Sequence, residues 1–186
     1  MAAPRSTAEL IRLTESGTRV RYLHFWGHRP RPDGRIGTSC LSQWWPADFT
    51  LDGVTFPSAE HYMMWRKAML FGAADTAARV LTAGHPNEAK TLGRTVARFD
   101  EAVWNAARFD IVVAGSVAKF GQHPELAAFL LGTGERILVE ASPVDRVWGI
   151  GMAASDASAD EPVRWRGLNL LGFALMQARE LLSEPV

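Results

Sequence analysis

Ser58-Ala59-Glu60-His61-Tyr62-Met63-Met64-Trp65-Arg66-Lys67-Ala68-Met69-Leu70-Phe71-Gly72 is the stretch on which the fold turns. Its spacing predicts a helix of about four turns, opened by Pro57 and Ser58 and stopped by Gly72. Tyr62, Trp65 and Met69 recur at helical spacing, as do Met64, Ala68 and Phe71. Apolar residues therefore take up most of the circumference, the pattern of a helix that lies inside a domain. Glu60 and Lys67 stand seven residues apart on one stripe, about 10 Å along the axis. Ionisable groups on a buried helix are costly unless paired or used. Two readings stand: a rim ion pair with a snorkelling lysine, or a functional pair.

Upstream, Phe49-Thr50-Leu51 and Val54-Thr55-Phe56 flank Asp52-Gly53, a strong hairpin signal that feeds straight into this helix. Ser42-Gln43-Trp44-Trp45-Pro46 comes before it; two adjacent tryptophans cannot face one side of a strand, so one is expected to line a cleft. Ser6 to Ser16 carries capping-box spacing and predicts a short helix. Arg19 to Trp26 reads as a strand. Gly27 to Ser39 is a loop by its Pro30, Pro32, Gly34 and Gly37. Its His28, Arg29, Arg31 and Arg35 form either a solvated basic loop or a phosphate contact.

Downstream, short helices are expected at Asp75–Ala83 and Pro86–Leu92, the second with Gly93 just past its end. Asp100 caps a longer helix to Phe120, and Pro124–Leu131 forms another. Arg136–Glu140 is a buried strand. A loop follows with Glu140, Asp145, Trp148, Gly149 and Gly151, and Asn169–Leu182 closes the chain as an amphipathic helix. Strands and helices do not alternate, so the expected class is α+β, a compact, mainly helical domain with a few short strands. The expected organisation is 1–39 as a helix, strand and basic loop packed on a core domain of 40–186.

The 186 residues, 47% hydrophobic and 22% charged, suit a globular protein with a sizeable core. Zero formal net charge supplies no global field towards nucleic acid or anionic membrane, so any such contact must come from a local patch. The single cysteine, Cys40, excludes an intramolecular disulfide and a cysteine-rich metal site. No run resembles a signal peptide or spans a bilayer, and a soluble cytoplasmic protein without membrane partners is expected.

Chemistry is narrowed by what is missing. Gly149-Ile150-Gly151 lacks the third glycine of a dinucleotide fingerprint, there is no Walker loop, and no His/Cys/Asp/Glu cluster has ligand spacing. Neither cofactor nor metal is expected, and His61 reads as a core or helix-surface histidine. Glu60, Glu140 and Asp145 remain, set among Lys67, Trp104 and Trp148. Carboxylates beside flat aromatic walls suit glycosidic cleavage, whose oxocarbenium-like transition state anions stabilise. Structural carboxylates are the competing reading.

These residues also carry a family resemblance. Phe56-Pro57-Ser58-Ala59-Glu60 with Lys67-Ala68, Trp104 with Arg108, and Lys119-Phe120 resemble the spine of the NADAR domain. Leu130-Leu131-Gly132-Thr133-Gly134, then Glu140-Ala141-Ser142-Pro143-Val144-Asp145 and Trp148-Gly149-Ile150-Gly151, continue it. Gly167-Leu168-Asn169-Leu170-Leu171-Gly172 with Leu175-Met176 and Arg179 completes a likeness running from about Cys40 to Leu182. It implies action on ribosyl N-glycosidic bonds: removal of ADP-ribose from guanine bases, cleavage of phosphoribosylamino-pyrimidine intermediates of riboflavin synthesis, or, without catalysis, ADP-ribose binding.

Carried over position by position, the resemblance implies Glu60, Lys67 and Asp145 as catalytic residues. Ser42, Gln43, Trp44, Trp104, Arg108, Trp148 and Gly149 are implied as substrate contacts. Gln43 departs from the family, which usually has asparagine there. Lys67, among Met63, Met64 and Phe71, is expected to have a lowered pKa and to attack ribose C1 as a neutral amine; the competing account keeps it charged, holding a phosphate or Glu60 in place. A DNA substrate would be held by Arg29, Arg31 and Arg35 or by Arg164 and Arg166, with salt-sensitive binding.

Overall fold

A computed structural model describes residues 3–184. The α+β, mainly helical class holds: seven α-helices and four short strands, the strands in two separate pairs, among the described residues. The chain forms two compact units. One is continuous, Gln43–His123; the other is built from Met1–Ser42 and Pro124–Val186.

In the continuous unit, β2 (Phe49–Leu51) and β3 (Val54–Phe56) pair antiparallel, Phe49 opposite Phe56. Asp52 and Gly53 both take positive φ, 53° and 77°, the backbone that a two-residue hairpin turn demands. The Gln122 side-chain amide clamps this hairpin, accepting from Thr50 N at 2.9 Å and donating to Thr50 O at 2.7 Å.

The central helix, α2 (Ala59–Leu70), is capped by the Ser58 hydroxyl and ends in a Schellman turn. In that turn Gly72 at φ 68° donates to Met69 O and Ala73 donates to Ala68 O. It packs against α3 (Ala74–Thr82), α4 (Pro86–Arg94) and α5 (Glu101–Gly121). Its aromatic face meets the hairpin, with Tyr62 and Trp65 edge-on to Phe56 at 5.1 and 5.4 Å between ring centroids.

Two expectations are corrected here. Gly93 does not lie beyond α4 but within its last turn, where a Cβ would strike the Met64 side chain. The glycine is a packing notch rather than a helix stop. Met69, expected on the buried stripe, is exposed, as is Leu70 beside it; burial is concentrated from Ala59 to Met64 and at Ala68.

In the other unit, Ser6 caps α1 (Thr7–Glu15) by accepting from Glu9 N. β1 (Tyr22–Phe25) pairs in parallel with β4 (Ile137–Glu140), Phe25 opposite Glu140. α6 (Pro124–Gly132) and α7 (Leu170–Ser183) pack together, and α7 lies across β4. The approach is so close that a Cβ on Gly172 would overlap Leu138 O. Buried Arg179 ties α7 down by donating to Thr133 Oγ1 at 2.7 Å and to Arg136 O at 3.0 Å.

A two-stranded ribbon leaves a second edge of β4 to be satisfied. Asn169 satisfies it: its Oδ1 accepts from Glu140 N at 2.9 Å and its Nδ2 donates to Leu138 O at 2.9 Å. The residue is 0% exposed and left-handed at φ 54°, a conformation asparagine tolerates better than most. One side chain thus does the work of a third strand.

Candidate active site

The residues singled out from sequence fall on both units, and each group is described within its own. Gln43, Trp44, Glu60, Lys67, Trp104 and Arg108 belong to the continuous unit; Ser42, Asp145, Trp148 and Gly149 belong to the other.

Glu60 sits in the first turn of α2, 3% exposed. Its backbone N–H donates to Gln43 O at 3.0 Å, which joins the Gln43-Trp44 segment to the start of the helix. Of the two adjacent tryptophans, Trp45 is buried and Trp44 half-buried. Trp44 stands edge-on to His85 at 5.7 Å, with Lys90 Nζ 5.9 Å from its ring.

His61 is a core histidine. Its Nε2–H donates to Ala83 O at 3.1 Å, so Nδ1 is left to accept from the Ser58 hydroxyl at 2.8 Å. Burial holds its pKa below the ordinary imidazole value.

Lys67 occupies an aromatic recess at the other end of α2. Its Nζ lies 4.3 Å from the Phe99 ring centre and 5.6 Å from that of Trp104. Phe71 backs Phe99 at 5.3 Å. Burial, then the positive charge of Arg94, lower the amine's pKa. No carboxylate pairs with Lys67 among the described ion pairs, so the rim ion-pair reading finds no support. Arg108, one turn after Trp104, is likewise shifted down by burial, against the opposing pull of Glu101.

The sequence reading overlooked Phe99 and Arg94. Phe99 precedes the Asp100 cap and Arg94 ends α4, positions where no motif or periodicity marks a functional side chain.

Around Asp145 the backbone is tightly specified. Asp145 Oδ1 accepts from Val147 N at 2.9 Å and Trp148 N at 2.8 Å, and Asp145 N donates to Ser142 Oγ at 3.1 Å. The carbonyls of residues 146 to 150 accept in turn from the amides of Leu168, Leu170, Leu171, Asn169 and Arg166. The first free N–H groups of α7 are satisfied in this way by the Asp145 loop. Gly149 and Gly167 permit the contact: a Cβ on Gly149 would lie 2.8 Å from Glu140 O, and one on Gly167 would overlap Gly149 O. The Asp-x-x-Trp-Gly-x-Gly and Gly-x-Asn-x-Leu-Gly runs are therefore two sides of one interlock. Among the described hydrogen bonds it leaves Asp145 Oδ2 and the ring of half-buried Trp148 without a backbone partner.

Residues 24–183 match the NADAR domain model. The chain belongs to the NADAR domain family. The matched span starts well before Cys40 and takes in the end of β1 and the arginine loop. The chain is 40% identical over 165 residues to the N-glycosidase R617 of Acanthamoeba polyphaga mimivirus, covering 86% of this chain and 95% of that one. The solved structure of the Escherichia coli protein YbiA superposes with a TM-score of 0.67 at 26% identity, covering 89% of this chain and 87% of that one. The chain is also 35% identical over 135 residues to the maize "Riboflavin biosynthesis protein PYRR, chloroplastic", spanning 69% of this chain but 20% of the maize protein. Among the described residues no group of His, Cys, Asp or Glu could hold a metal ion, and no helix is long and apolar enough to cross a membrane.

Proposed function

We propose that this NADAR protein is an N-glycosidase that hydrolyses ribosyl N-glycosidic bonds, removing ADP-ribose from modified guanine bases in DNA. The observation that carries the reading is Lys67, an amine held among Phe99, Trp104 and the Arg94 charge with its pKa lowered. A lysine in such surroundings has more of its neutral, nucleophilic form at a given pH. Opening of the ribose ring converts C1, still bonded to the base nitrogen, into a protonated imine. Lys67 Nζ adds to C1, the C1–base bond breaks as the base leaves with a proton, and a lysine imine remains. Water then adds to that imine, releasing the ribose as its aldehyde and returning the amine. Glu60, in the first turn of α2, stabilises the cationic centre. Asp145 Oδ2 accepts a ribose hydroxyl, while its Oδ1 stays committed to the loop. The names of the mimivirus and bacterial relatives support the reaction class.

The test is borohydride reduction during turnover of an ADP-ribosylated guanine oligonucleotide. A ribosyl adduct on Lys67, and no activity in Lys67→Arg, are expected. An active Lys67→Arg enzyme without adduct leaves the lysine an electrostatic part only.

The likeness to the maize riboflavin protein favours a second substrate, a phosphoribosylamino-pyrimidine, cleaved by the same chemistry. Turnover of that compound alone, in a side-by-side product assay, would replace the ADP-ribosyl reading. Binding of ADP-ribose with no turnover of either would make the domain a non-catalytic module.

A further inference from the structure

One cavity of the discontinuous unit lies away from the chemistry above. It has a volume of about 460 Å³ and is bounded by α1, the segment leading into β1, the end of α6 and the second half of α7. Ile137, the first residue of β4, lines it, whereas the Asp145 loop leaves the other end of that strand after Glu140. Its apolar walls come from Leu13, Val20, Leu131, Ile137 and Met176. Sites for small organic ligands have this size and makeup, apolar with a few placed polar groups.

The placed polar group here is Arg179, which lines the cavity and is 8% exposed. Its Nη1 is committed, donating to Thr133 Oγ1 and Arg136 O. Nε and Nη2 make no hydrogen bond among the described residues. These two nitrogens form the edge with which Arg31, in the same unit, takes Asp33 in a two-point contact at 3.1 and 2.9 Å. No carboxylate comes within ion-pair distance of Arg179 among the described residues. Glu180 accepts instead from Ala3 N at 2.9 Å, and Glu135 is exposed. Burial, against the opposing charge of these two acids, holds the guanidinium below its ordinary pKa. A buried cation without a counter-ion is costly, and a bound anion removes the cost. Arg19 and Arg21 line the same cavity and make no ion pair among the described residues. Three arginines face two glutamates, an excess of one positive charge.

We propose that this cavity binds a small amphipathic monoanion, a hydrocarbon body carrying one carboxylate. The carboxylate takes Nε and Nη2 of Arg179 in a two-point contact, and the body lies against Val20, Leu131 and Met176. The site is independent of the glycosidase reading, and its test needs no turnover. Hexanoate is titrated into the full chain at neutral pH by isothermal calorimetry. Two further titrations accompany it: 1-hexanol, which keeps the body without the charge, and inorganic phosphate, which keeps the charge without the body. Hexanoate is expected to bind with a Kd of about 1 mM or tighter, and each of the others at least about tenfold more weakly.

Arg179→Lys keeps the charge but loses the fork, and should weaken hexanoate about tenfold. The arginine also holds α7 to Thr133 and Arg136, so a second variant is placed at an exposed point of the wall. Leu131→Glu, at a position 38% exposed, sets a carboxylate against that of the ligand and should cost at least about tenfold with the fold intact. Leu181→Glu makes the same change on α7 outside the cavity, at a position 46% exposed, and should cost less than about twofold.

Equal affinity for hexanoate and hexanol would overturn the carboxylate contact, and phosphate bound as tightly as hexanoate would overturn the amphipathic class. No detectable hexanoate binding at about 10 mM would overturn the site itself. Equal losses from Leu131→Glu and Leu181→Glu would place the ligand outside this cavity, and a folded Arg179→Lys protein of undiminished affinity would leave the fork no part; either result overturns the proposal.

Discussion

Replacing Asn169 by alanine removes both bonds that finish the outer edge of β4, to Glu140 N and Leu138 O. The position is fully buried, so no water takes over. Each orphaned backbone group costs about 1–3 kcal/mol. Alanine in the left-handed conformation that asparagine holds here adds about 1 kcal/mol. The sum is about 4 kcal/mol, and at a urea dependence of about 2 kcal/mol per molar it lowers the midpoint by about 2 M. Asn169→Asp separates this account from a simple size effect. The aspartate keeps an acceptor for Glu140 N but turns a carboxylate oxygen towards Leu138 O, so it should be at least as damaging as alanine. Urea titrations of the three proteins, followed by tryptophan fluorescence and far-UV circular dichroism, measure this. An Asn169→Asp protein as stable as the parent would refute the reasoning, because the donated bond to Leu138 would then carry no weight.

Asp145→Asn keeps the Oδ1 cap on Val147 and Trp148, so melting should change by less than about 0.5 kcal/mol while kcat/KM drops at least about tenfold from loss of the charge. Asp145→Ala should lose about 2 kcal/mol of stability as well, readable in the same melts. Lys67 has its folded pKa below the ordinary 10.5, so between those values the unfolded chain binds more protons and stability rises with pH. Thermal melts on the alkaline side should show that rise in the parent and a flatter profile in Lys67→Met. Gly172→Ala, which drives a methyl into the Leu138 carbonyl, should cost about 3 kcal/mol in a denaturant titration.

What could be read from the sequence was local. Asp52-Gly53 gives a hairpin because two consecutive positive φ values need residues of that kind, and Ser6, Ser58 and Asp100 cap helices through bonds spanning three residues. Gly93 misled for the same reason that Gly72 did not. A glycine near a helix end reads as a stop, and only the presence of Met64 on a neighbouring helix makes it a notch. Met69 and Leu70 share the composition of the buried stripe, yet nothing covers that turn enough to hide them. The β1–β4 pairing was out of reach because neither strand carries a mark of its partner. At the candidate site, Lys67 was found through its helix and the family likeness, but its cage was not, since Phe99 and Arg94 come from other segments.

The way the two units share the chain bears on how the protein is made. Gln43–His123 emerges from the ribosome as one uninterrupted stretch and can close on itself at once. β1 is synthesised first but meets β4 only after that whole stretch has been added. Roughly a hundred residues, at about 5–20 per second, keep the nascent β1 waiting about 5–20 s. During that interval Tyr22–Phe25 is an unsatisfied strand with an aromatic at each end, open to capture by chaperones or by another nascent chain. Translation speed across residues 43–123 therefore sets how long this segment is at risk, and synonymous codon changes there should alter soluble yield without altering a single residue.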